Sequence, residues 1–120
     1  MRSAKDLVWP GGEHSFLLGI GELRALEQRT GVGSFVSMTR LLTTQWHIDD
    51  VVATIRLGLI GAGMREAEAK TVLDKALDLA SPYKLAITAA AILDHSIMWD
   101  EVDAPGELAG ETEETRSPTD

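Results

Sequence analysis

Two glycine clusters are the places where this chain could hold a phosphate. The first, Gly19-Ile20-Gly21, follows an apolar stretch and precedes a helical pattern, which is the order of a dinucleotide-binding turn. The next position of that fingerprint is Arg24, however, and Glu22 puts a carboxylate where a pyrophosphate would sit. No second β-α-β pattern follows. The second cluster is IRLGLIGAGM at 55–64, with Gly58, Gly61 and Gly63. Its glycines lie within and after a helical pattern, at the end where carbonyls are free, and carbonyls repel phosphate. Close helix packing at Gly58 and a left-handed stop at Gly61 or Gly63 account for them better.

The remaining reactive side chains do not combine. His14, His47 and His95 show no HxxxH or HExxH spacing, and adjacent Asp94 and His95 diverge on a helix. Ser15, Ser34, Ser37 and Ser81 lack a nucleophile-elbow context. Asp49-Asp50 reads as a pair of acids favoured by a helix N-terminus rather than an acid/base dyad. Cysteine is absent, which removes disulfides, thiolate metal sites and a Cys nucleophile. The sequence therefore predicts a non-enzymatic protein with no cofactor and no metal.

Charge narrows the partners. Residues 1–99 hold ten Lys/Arg against eleven Asp/Glu, while residues 100–120 hold Arg116 against eight acids. The body is nearly neutral and the acidity belongs to the tail. Without a basic stripe to neutralise phosphates, nucleic-acid binding is not expected. No stretch approaches the roughly 20 apolar residues of a membrane span, and no signal-peptide pattern opens the chain. The expectation is a soluble, cytoplasmic protein. The tail is rich in Pro, Gly, Ser and Thr and poor in large apolar residues, so it is expected to be disordered. It reads as a solubilising terminus or as an acidic arm for a basic partner.

The elements that would position these residues are mostly helical. Asp6–Trp9 and Glu13–Leu18 flank Pro10-Gly11-Gly12, which predicts a short β-hairpin packed through Trp9, Phe16 and Leu18. Ile20–Arg29 places Ile20, Leu23 and Leu26 on one helix face and ends before Gly31. Phe35 to Leu42 predicts a second, short helix, followed by the loop TTQWH. Ile48, Val51, Val52, Ile55 and Leu59 define the clearest apolar face, over Ile48–Leu59. Glu66–Asp78 predicts a further helix. Ser81-Pro82 supplies N-cap and first-turn residues for a last helix running to about Trp99. Its middle, LAITAAAIL, is apolar on nearly every side, so it lies centrally or is half-covered by another chain. The fold class expected is mainly α: a bundle of four to five helices with an N-terminal hairpin, one domain over 1–99 and an acidic tail over 100–120. A chain of 120 residues suits one such domain.

Two stretches resemble a known family. Gly21-Glu22-Leu23 with Leu26-Glu27, and Leu57-Gly58-Leu59 with Gly61, Gly63 and Met64, are similar to the small phage-like proteins of gene transfer agents. That family is usually grouped with phage tail assembly chaperones and sometimes labelled tail tube protein. The resemblance spans about Phe16 to Trp99, with an N-terminal strand pair shorter than usual. It implies a tail assembly chaperone that coats the tape-measure protein during assembly of a gene transfer agent or prophage tail. The tail tube protein is a further implied partner, and self-association is open. The alternatives are a structural tail tube component, against which the few strand residues weigh, and a small helical regulator or adaptor. Surplus hydrophobicity nominates Trp46, Ile92, Ile97, Met98 and Trp99 as partner-binding residues.

Overall fold

The computed structural model describes residues 3–98. Two antiparallel strands, β1 (Lys5–Trp9) and β2 (Gly12–Phe16), are followed by five helices. These are α1 (Ile20–Thr30), α2 (Ser34–Leu42), α3 (Ile48–Gly61), α4 (Glu66–Leu79) and α5 (Pro82–Ile97). The mainly helical expectation therefore holds, with five helices. The tail predicted over 100–120 lies outside the described residues.

The hairpin turns on Pro10-Gly11, with Trp9 opposite Gly12 and Lys5 opposite Phe16. Strand alternation sends Leu7, Trp9, His14 and Phe16 to one face and Asp6, Val8, Glu13 and Ser15 to the other. The first face packs on the helices: Trp9 and Phe16 are buried and meet edge to face at 5.5 Å between ring centroids. A side chain at Gly11 would collide with the Trp9 indole, which folds back over the turn.

The second arm stops at Phe16, two residues earlier than expected. Leu17 leaves the sheet because its N–H goes instead to the Gly58 carbonyl of α3, at 3.0 Å. Leu18 is buried, and its N–H donates to Ser96 Oγ in the last turn of α5 at 3.2 Å.

Local caps set the helix limits. Glu22 Oε1 accepts the Gly19 N–H at 2.9 Å, so the acid that counted against a phosphate closes the start of α1 itself. Gly31 ends α1 in the left-handed region at φ 77°. Gly63, at φ 113°, rather than Gly61, takes the positive-φ position after α3. Ser81 Oγ accepts the Lys84 N–H, and Pro82 occupies the first position of α5.

The core joins the inner face of the hairpin to α3 and α5. Phe16, Leu18, Leu26, Ile55, Leu59, Leu85, Ile92 and Leu93 are all buried. α5 lies centrally, touching α2, α3 and β1, which answers for most of its apolar circumference. α3 and α5 pack directly against each other. Short turns join them through α4, and Gly58 and Ile92, each ten residues beyond the start of its helix, face each other. A Cβ added to Gly58 would lie 3.2 Å from both Ile92 Cγ2 and Phe16 Cδ2, so the expected close-packing role of this glycine holds. Ile20 and Ile48, both on predicted apolar faces and each at the first position of its helix, are exposed. At a helix start the neighbouring helix has not yet come alongside, so the stripe runs past the surface that covers it.

Candidate interaction surfaces

The polar side chains that sequence reading set aside make structural pairs. Asp50 is fully buried near the start of α3. Its Oδ2 accepts the His47 N–H at 2.8 Å and its Oδ1 accepts from Ser37 Oγ at 3.2 Å. Arg40 Nη1 lies 3.5 Å from Asp50 Oδ2, within ion-pair range but without hydrogen-bond geometry to any partner. Asp50 thus does more than complement the helix dipole: it fastens α2 to α3. Sequence spacing carries no hint of this pairing, because the residues lie on different helices. Asp49 pairs only loosely with Arg29, at 3.7 Å and on the surface.

The three histidines are engaged separately. Trp9 Nε1 donates to His14 Nδ1 at 2.8 Å. The pair was legible in principle, since a two-residue turn makes residues 9 and 14 diagonal neighbours on one sheet face. His47 precedes α3, and His95 Nε2 meets the Ser3 carbonyl at 2.8 Å. A shallow depression on the hairpin is lined by Asp6, Glu13, His14 and Ser15. There Ser15 Oγ donates to Asp6, and His14 is held by Trp9, so no Ser–His nucleophile pair forms. Among the described residues no three metal-ligating side chains converge, and no helix is long and apolar enough to cross a membrane.

Glu27 illustrates how acids serve the fold. Its Oε2 accepts both the N–H and the hydroxyl of Ser34, at 2.8 and 2.9 Å. These bonds, first the backbone and then the side-chain one, hold its carboxyl below the usual range, and Arg24 adds to the effect.

The nominated partner-binding residues fall into different environments. Ile92 is 1% exposed and packs against Gly58, so it presents no surface. Trp46 and Ile97 are half-buried against the core. Met98 is 55% exposed at the end of α5, and Trp99 lies outside the described residues. Further exposed apolar residues cluster elsewhere. Phe35, Val36 and Leu42 lie on the outer side of α2, and Leu79, Tyr83 and Ile87 lie around the turn from α4 into α5. Val8 stands on the outer face of the hairpin. Periodicity had placed Leu42 and Ile87 in apolar runs and gave no way to see that their outer sides stay uncovered.

A family model described as "Phage tail tube protein, GTA-gp10" matches residues 2–99, the whole described body, and the chain belongs to that family. No curated protein and no solved structure matches it. The phage-tail resemblance is thereby upheld, and the chaperone expectation is corrected: the family is that of a structural tail component. Low strand content does not exclude membership of a tail tube family. Repeating contacts need complementary surfaces, and helices supply these as well as sheet edges do.

Proposed function

We propose that this member of the phage tail tube protein family is a structural, non-catalytic subunit of the tail of a gene transfer agent or phage-like particle. The family match across residues 2–99 carries the reading. Two features support it. His14, His95, Ser34, Ser37, Ser81, Ser96 and the buried Asp50 are engaged in bonds that hold the fold. Large apolar side chains are left exposed on α2, on the α4–α5 turn and on the hairpin, more than a solitary domain needs. On this reading the partners are copies of the chain itself and other tail proteins, the tape-measure protein among them. The chain is made in the bacterial cytoplasm and carried in the particle.

The test is its content in purified particles. Quantitative mass spectrometry is expected to find it in many copies per particle, in fixed ratio to the other tail proteins. Absence from particles that are otherwise complete overturns the reading.

A further inference from the structure

The two ends of α5 carry different surfaces. The hairpin is anchored at its C-terminal end, through Ser3 to His95 and Leu18 to Ser96. Its outer face presents Val8, 83% exposed, opposite Glu13 and two residues from Asp6, both exposed acids. At the N-terminal end, Tyr83, Lys84 and Ile87 are neighbours on the first turns of the helix and are all exposed. Leu79, also exposed, ends α4 beside them. Lys75 and Asp78 on α4 are of opposite sign and sum to zero, and Lys84 is the one charged residue within the group itself. Tyr83 and Ser96 are about 20 Å apart along the helix, at about 1.5 Å per residue.

An apolar side chain flanked by carboxylates therefore stands at one end, and an apolar group bearing a lysine at the other. We propose that copies of this chain stack head to tail, the outer face of one hairpin docking on the Leu79–Tyr83–Lys84–Ile87 end of the next copy. The inference rests on the reading of the chain as a tail subunit. The two surfaces differ, so the contact is heterologous: repeated, it builds a ring or a filament and not a closed pair. Val8 and Ile87 form its apolar centre, and Asp6 and Glu13 facing Lys84 set its orientation.

Sedimentation velocity on the full chain tests this, with circular dichroism to verify folding. Wild type is expected to form species beyond the dimer as concentration rises. Val8→Asp and Ile87→Asp, both at exposed positions, are each expected to weaken association about tenfold or more. Mixed together they should give a heterodimer that grows no further, because each keeps the end the other has lost. Glu13→Lys should weaken stacking, and Lys84→Glu added in the partner copy should restore part of it. Phe35→Asp, on α2, should leave stacking unchanged. A wild type that stays monomeric or stops at a dimer overturns the proposal. So does a mixture that stays monomeric, or assembly lost in Phe35→Asp but kept in Val8→Asp. Presence of the chain in particles alongside any of these results sinks the stacking geometry alone. Absence from particles sinks the tail-subunit reading.

Discussion

The backbone carbonyl of Leu17 lies where a side chain on Gly61 would have to begin. With the Leu17 N–H bonded to the Gly58 carbonyl, this residue locks the end of β2 onto the last turn of α3 from both of its peptide groups. The glycines of IRLGLIGAGM thus let a strand reach the helix backbone, where a phosphate loop would instead expose N–H groups.

Gly61→Ala should therefore destabilise the protein by about 2–3 kcal/mol, since neither backbone can move without breaking the join. Gly21→Ala is the control: nothing lies within 4 Å of the added carbon, and alanine lowers the entropy of the unfolded chain. It should be neutral or stabilising by up to about 1 kcal/mol. Urea unfolding measures both, and equal stability of the two variants would refute the contact.

Asp50→Ala removes the ionic counterpart of Arg40 and the acceptor of the Ser37 hydroxyl and the His47 N–H. The expected loss is about 3–5 kcal/mol. Asp50→Asn keeps an acceptor for the His47 N–H and can donate its amide N–H to Ser37 Oγ, so it should cost less. Removing Arg40 as well should recover part of the loss, which a double-mutant cycle reads directly. Asp49→Ala, which breaks only the surface pair with Arg29, should change stability by less than about 1 kcal/mol.

His14→Ala takes away the acceptor of the Trp9 indole N–H, in a residue only 7% exposed. A cost of about 1–2 kcal/mol is expected. Tryptophan fluorescence should report the altered indole surroundings in the folded state, and an unchanged spectrum would argue against the bond.

Glu27 gives a pH dependence with a definite sign. Its carboxyl is held below its ordinary value of 4.5 in the folded chain, by the two bonds from Ser34. Protons therefore bind the unfolded chain first as pH falls. The contribution is present above the ordinary carboxylate range and is lost as pH drops through the lowered folded value. Thermal unfolding between about pH 6 and pH 3 should show wild type losing more stability than Glu27→Gln. Parallel curves would remove Glu27 from the account.

Local chemistry determined the elements of this protein. Pro10-Gly11 turns the hairpin, Glu22 and Ser81 start helices, Gly31 and Gly63 follow them, and apolar spacing marks where each helix runs. Those effects act within a few residues, so one chain suffices to read them. The same short range made the placement of the glycines legible, within and after α3 at its carbonyl end. Only the tertiary structure decided which apolar residues are used up inside. Ile92 and Ile87 belong to one apolar run on one helix, yet Ile92 is buried against Gly58 and Ile87 is 59% exposed. Periodicity says which residues share a face. Burial depends on whether another helix, distant in sequence, comes to lie over that face, and the same holds for Asp50 meeting Arg40 and for the surfaces left open at the two ends of α5.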